Sequence, residues 1–280
     1  MTVLITGARG KIGRAVLGRL HAQGLPVRAA SAEPAELTVP AGVATVELVL
    51  DRPQTFSAGL TGVRQVFLYP NPEGIDAFIG TARAAGVEHI VLLSSSSVLT
   101  PGAETDPLAA HNLRVERALA ASGIPTTFLR ADAFASNALG WSHPISHGLP
   151  VRLAYPDAHL APVHPDDIAD IAVEALTGTA LKGRTLTLTG GQSLTFREQL
   201  AVLSEVLDRD VTVETITHAE AEQQMSRFMP ARIAGSLLTL WAAACVGPAP
   251  IGETTRTLLG TPERSFHRWV TENAAAFTAR

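Results

Sequence analysis

The chain has 280 residues, 46% of them hydrophobic, and a formal net charge of -4, enough for one large α/β domain or a domain plus a small lobe around a full core. No Lys/Arg run stands out, so the basic face of a nucleic-acid binder is not expected. Cys245 is the sole cysteine, which excludes an internal disulfide and, without a Cys/His cluster of zinc spacing, a structural zinc site; a reducing cytoplasm fits.

The chain enters an apolar strand at Thr2-Val3-Leu4-Ile5 with no secretory leader ahead of it. The strand runs into Thr6-Gly7-Ala8-Arg9-Gly10-Lys11-Ile12-Gly13, a Gly-x-x-Gly-x-x-Gly turn, and a helical pattern follows over Arg14 to Gln23. One glycine allows the tight turn off the strand, one lets backbone approach a pyrophosphate, and one lets the helix pack close to the sheet. The N–H groups and positive dipole of a helix starting near Lys11 and Ile12 favour phosphate.

Strands are predicted at Val27–Ala30, Thr45–Val49, Gln65–Tyr69, His89–Ser94 and Thr126–Arg130, separated by helical patterns at Ile75–Ala85 and Pro107–Ala121. Alternation of this kind implies right-handed crossovers and a doubly wound parallel sheet. Further on, strands are predicted at Val151–Tyr155, Thr185–Thr189 and Val211–Ile216. Helices are predicted at Pro165–Leu176, after the Thr195–Glu198 capping box, and at Ala219–Phe228, Ala231–Val246 and Glu263–Phe277. The expected architecture is an α/β Rossmann core (1–135) with a smaller α/β C-terminal substrate lobe (mostly 136–280) interwoven with it, the substrate lying in a cleft. The apolar stretch Ile233–Gly247 is too short to span a bilayer. Its Leu237, Leu240 and Trp241 suit a subunit interface or a lid, and the lid is favoured. No membrane partner is expected, and a monomer or homodimer is.

In an open parallel sheet the ligand lies beyond the carboxyl ends of the strands, so the residues there carry the candidate chemistry. Ser31 follows the second strand, two residues before Glu33. Glu33 would bind ribose hydroxyls and favour NADH, whereas Arg9 would reach a 2′-phosphate and favour NADPH. NADPH is expected, with NADH the alternative. Asp51 suits either an adenine contact or a turn start before Pro53. Tyr69, ahead of Pro70-Asn71-Pro72, would border the nicotinamide ribose.

In Ser94-Ser95-Ser96-Ser97, Ser94 is assigned to the cofactor, Ser95 to catalysis and Ser96 to the substrate. Their hydroxyls equally suit local backbone hydrogen bonds. His111 and Asn137 complete the candidate hydrogen-bond donors; Glu116 and Arg117 read as a solvated helix face. Trp141, His143 and Tyr155 suit a substrate wall. His143 and His147 have i, i+4 spacing, but Pro144 and the lack of a third ligand argue against metal. His164 reads as structural. No Gly-x-Ser-x-Gly elbow is present, so a hydrolase has no support.

The glycine turn, Asp51, Ala120–Arg130, Ala133-Phe134-Ala135-Ser136-Asn137 and Pro162–Ala169 together resemble the NmrA-like branch of the atypical short-chain dehydrogenase/reductases. The style is that of bacterial NAD(P)H:quinone oxidoreductase-like and azoreductase-like proteins, and the resemblance covers nearly the whole chain. It implies that Gly7, Gly10 and Gly13 hold the pyrophosphate and Asp51 the adenine, with Phe134 and Asn137 bordering cofactor and substrate. The chain departs from the broader superfamily where a Tyr-x-x-x-Lys pair is usual: counting back from Glu116, those positions hold Leu108 and Asn112.

A quinone or other conjugated aromatic carbonyl accepts hydride readily and asks only for a hydrogen bond to the developing oxyanion. The expected function is therefore NAD(P)H-dependent reduction of such a small molecule. The resemblance also implies two alternatives, a non-catalytic redox sensor of the NmrA kind and a tailoring enzyme for aromatic secondary metabolites.

Overall fold

A computed structural model describes residues 2–278. The chain forms two compact units, the first built from residues 2–105, 109–131 and 165–187, the second from 106–108, 132–164 and 188–278.

In the first unit, β1 (Thr2–Ile5), β2 (Val27–Ser31), β3 (Ala44–Glu47), β4 (Val63–Leu68), β5 (His89–Ser95), β6 (Thr126–Ala131) and β9 (Thr185–Leu188) form one sheet. The order is β3-β2-β1-β4-β5-β6-β9, and β1 to β6 pair in parallel. The reversal between β1 and β4 is the switch point of a doubly wound Rossmann sheet, where ligands bind. The apolar run of β5 is buried because both faces of the sheet are covered. β3 is mostly exposed because it is an edge strand paired only to β2.

The helices are α1 (Lys11–Ala22), α2 (Phe56–Leu60), α3 (Ile75–Ala85), α4 (Ala110–Ala121) and α6 (Pro165–Thr177). α1 carries Val16, Leu17 and Leu20 on its buried face, and its Arg19 clamps α6 through Asp166 (2.7 Å) and Asp170 (2.6 Å). Helix α4 begins at Ala110 rather than Pro107.

Glu116 corrects the sequence expectation of a solvated face. It is 5% exposed, takes the Arg130 guanidinium at 2.6 Å and accepts the Ser94 hydroxyl at 2.6 Å. One carboxylate thus ties α4 to β5 and β6. Removing either partner of such a buried pair strands a charge, an effect of about 3–5 kcal/mol.

The second unit contains α5 (Ser142–Ser146), β7 (Val151–Leu153), β8 (His159–Leu160), β10 (Leu194–Thr195), α7 (Phe196–Leu207) and β11 (Val213–Thr215). It continues with α8 (His218–Met225), α9 (Ala231–Ala243), α10 (Thr255–Leu259) and α11 (Phe266–Asn273). β8 and β10 pair antiparallel, β7 and β11 in parallel. Phe196, Leu200 and Leu203 of α7 and Phe266, Trp269 and Val270 of α11 share one apolar core. The Thr195 capping box forms as its sequence predicts. The Glu263–Phe277 helical pattern divides into α11 and a final 3-10 turn at Ala274–Phe277. No helix among the described residues is long and apolar enough to cross a membrane.

His89 is buried at the start of β5, 1% exposed. The Thr127 hydroxyl donates to the Leu181 carbonyl (2.8 Å) and accepts the Gly183 N–H (3.0 Å), so the His89 Nε2, 2.9 Å away, donates to it. Burial, helped by the charge of Lys182, pushes the His89 pKa down from 6.5 to about 4. Between those values the unfolded chain binds the extra proton, so its protonation opposes folding. Stability is expected to be independent of His89 above pH 6.5 and to fall by about 3 kcal/mol as the pH drops to 4. Urea unfolding of wild type and His89→Gln across that range checks this, the variant giving the flatter profile.

Candidate cofactor site

The glycine turn links β1 to α1 at the switch point. Gly7 adopts φ +64°, the left-handed region that favours glycine. A Cβ on Gly13 would lie 2.3 Å from the Gly7 carbonyl oxygen, so only glycine lets α1 start this close to the strand. The N-cap of α1 is Gly10, with no side-chain cap and no acidic residue in the first turn. The dipole of this first turn favours an anion. This cradle fits the pyrophosphate of NAD(P)H.

Thr6, which sequence reasoning did not single out, fastens the turn to the neighbouring strand. Its hydroxyl donates to the Phe67 carbonyl (3.1 Å) and accepts the Tyr69 N–H (2.8 Å). Tyr69 is thereby held over the turn, its Cδ2 and Cε2 2.3 and 2.4 Å from where a Gly7 Cβ would stand. Burial raises the phenol pKa, and a hydrogen bond from the Gly13 N–H opposes that shift.

Arg9 reaches Glu33 (2.6 Å) and Glu36 (2.9 Å) through the same Nη2. The two residues that argued for opposite cofactors are therefore bonded to each other, and the hydrogen bond with Arg9 holds the Glu33 carboxyl below its ordinary range. Ser31 is buried and its hydroxyl accepts the Glu33 N–H at 3.1 Å. Asp51, Lys11 and Arg9 are exposed and Ile12 is buried.

Of the serines ending β5, Ser94 is 4% exposed and donates its hydroxyl hydrogen to Glu116. The Ser95 hydroxyl oxygen accepts the Ser97 N–H at 3.2 Å, leaving its own hydrogen to donate. Ser96 is half-buried beside it. His111 is exposed on α4, with Nε2 3.1 Å from the Pro70 carbonyl. A carbonyl only accepts, so Nε2 carries the proton and Nδ1 of the neutral ring is an acceptor. Asn112 stands half-buried one residue further along.

Phe134, Asn137, Trp141, His143 and Tyr155 all belong to the second unit. Phe134 bridges to Val163 and Asn137 is exposed. Trp141 meets Phe196 edge-on (5.7 Å), and Phe196 meets Trp241 (5.0 Å). The Tyr155 hydroxyl lies 2.7 Å from His218 Nδ1, a pairing 63 residues apart in the chain that no local pattern signals. The exposed His143 and His147 rings are neighbours, but His147 Nδ1 is 2.9 Å from the His143 carbonyl, to which it donates. His164 is 3% exposed and lies 3.1 Å from Glu272.

Residues 7–179 match the NAD(P)H-binding family. The chain is 38% identical to (4-alkanoyl-5-oxo-2,5-dihydrofuran-3-yl)methyl phosphate reductase of Streptomyces griseus, over 98% of this chain and 99% of the relative. It is 30% identical to the NAD(P)H azoreductase of Xenophilus azovorans, over 99% of each. In fold it is similar to the NADPH-dependent quinone oxidoreductase QOR2 of Escherichia coli, solved with NADPH (TM-score 0.80, 21% identity, 98% of this chain and 100% of the other covered). Citrobacter sp. triphenylmethane reductase is comparable (TM-score 0.79, 22% identity, 98% and 100% covered). The chain belongs to the NAD(P)H-binding family and is an NAD(P)H-dependent reductase of the atypical short-chain dehydrogenase/reductase type.

A 2′-phosphate at Arg9 would have to compete with Glu33 and Glu36. Glu33→Gln is therefore expected to raise the NADPH-over-NADH affinity ratio about threefold. Paired fluorescence titrations with the two cofactors check it.

Proposed function

We propose that this protein uses NADPH to reduce a quinone or similarly electron-poor conjugated carbonyl compound. The observation that carries the reading is the pair Leu108 and Asn112 at the positions of the usual tyrosine and lysine. Neither side chain supplies a strong acid, so the acceptor is one whose conjugation spreads the incoming charge and needs only a hydrogen bond. The relatives support this class, since an azo compound and an oxo-dihydrofuran are both conjugated acceptors.

NADPH in the glycine cradle supplies the hydride. Gly7, Gly10 and Gly13 hold the pyrophosphate, Arg9 takes the 2′-phosphate, and Asp51 faces the adenine. Ser95 hydrogen-bonds the developing oxyanion, with Ser96 beside it on the substrate. The His111 Nε2–H is engaged by the Pro70 carbonyl, so Ser95 stands ahead of it, and Asn137 is a further candidate donor. Phe134, Trp141, His143 and Tyr155 are the residues assigned to the substrate, and in such a reaction holding the two reactants together does most of the catalysis. The organism-scale alternative, a tailoring enzyme, is favoured by one observation: the 38% identical relative that spans the whole chain acts on an alkanoyl furanone phosphate.

Anaerobic NADPH oxidation with a naphthoquinone, an azo dye and a 4-alkanoyl furanone methyl phosphate tests the reading. Turnover of the quinone supports it; turnover of the furanone phosphate alone favours the tailoring role; saturable binding without turnover of any acceptor contradicts both. Ser95→Ala is expected to lower kcat about 10- to 100-fold with KM nearly unchanged, as loss of an oxyanion donor does.

A further inference from the structure

The glycines of the turn do not leave open space above them. Besides the ring atoms over Gly7, the Tyr69 hydroxyl lies 3.3 Å from where a Gly10 Cβ would stand. The room that the missing side chains of Gly7 and Gly10 provide, through which backbone approaches a pyrophosphate, is thus filled by one phenol. The same hydroxyl takes the N–H of Gly13, the third residue of α1, so a helical donor suited to phosphate already has an acceptor from within the chain. One N–H of this kind cannot serve both acceptors at full strength.

The backbone around Tyr69 is held on both sides. The Tyr69 N–H is held by Thr6 (2.8 Å). The following residue, Pro70, has a locked φ, and its carbonyl accepts from His111 of α4 (3.1 Å). The ring meets the turn and the edge of Phe67, 5.8 Å between centroids. Rotation about χ1 moves the phenol between staggered positions without moving the strand or the turn.

We propose that Tyr69 is a displaceable plug in the cofactor cradle, standing in the free protein where a phosphate of NAD(P)H binds and swinging out when the cofactor enters. The proposal rests on the assignment of the glycine turn to the cofactor. Binding then draws on the fraction of molecules with the ring out, and the apparent Kd is raised by that fraction. An ordinary contact residue acts in the opposite sense, since its removal weakens binding. The plug also keeps the first turn of α1 satisfied and covered until cofactor arrives, and so sets affinity without touching the reacting atoms.

The chain has two tyrosines, Tyr69 and Tyr155, so full-length protein labelled with 3-fluorotyrosine gives two fluorine signals, assigned with Tyr155→Phe. On titration with NADPH the Tyr69 signal is expected to move and to become more accessible to a soluble paramagnetic chelate. A cofactor merely lying beside a stationary ring lowers that accessibility. In parallel, Tyr69→Ala is expected to bind NADPH about 3- to 10-fold more tightly by nicotinamide fluorescence, with Tyr69→Phe between it and wild type. A Tyr69 signal that stays shielded at saturating NADPH, or weaker binding by Tyr69→Ala, overturns the plug while leaving the cofactor assignment intact. Absence of saturable NADPH binding to the wild type overturns the assignment itself, and the plug with it.

Discussion

The approach of Gly13 to the carbonyl of Gly7 is the constraint on which the rest depends. A single methyl group there would meet that oxygen at 2.3 Å, so the helix can start against the strand only with glycine at this place. Because α1 starts there, its first N–H groups and its dipole face the end of the sheet at the β1–β4 switch point. The Arg19 clamp onto α6 then fixes the direction of the helix. Cofactor binding is a consequence of this packing rather than a feature added to it.

Much of the first unit was legible because its signals are local. Apolar runs bounded by glycine and proline give parallel strands, and Ile75–Ala85 reads as a helix with the bounds it has, closed by Gly86 in the left-handed region. Capping residues at Thr195 mark a helix start for the same reason. Short elements such as α2, α5 and α10 have only five residues each, too few for a helical period to register.

What was not legible depends on partners remote in sequence. Glu116 belongs to a polar helix stripe by period, yet Arg130 and Ser94 approach it only when β5 and β6 pair. That pairing also turns the Ser94 hydroxyl hydrogen onto Glu116, while the Ser95 oxygen accepts the Ser97 N–H. Arg9 and Glu33 read as rival cofactor selectors, and nothing in their spacing announces that they bond each other. Tyr69 follows a strand end, as ligand-binding residues do, but its return over the glycine turn is set by Thr6 and Phe67.

The chemistry follows from what the framework omits. A cradle for NAD(P)H is present, whereas Leu108 and Asn112 replace the usual acid and its lysine. On the proposed reading, the acceptors are ones that stabilise their own charge. The most direct test compares a conjugated enone with its saturated ketone counterpart at saturating NADPH. The account predicts multiple turnovers with the enone and none with the ketone. Equal or faster reduction of the saturated ketone would contradict it, because that reaction requires a proton donor of the strength these residues lack.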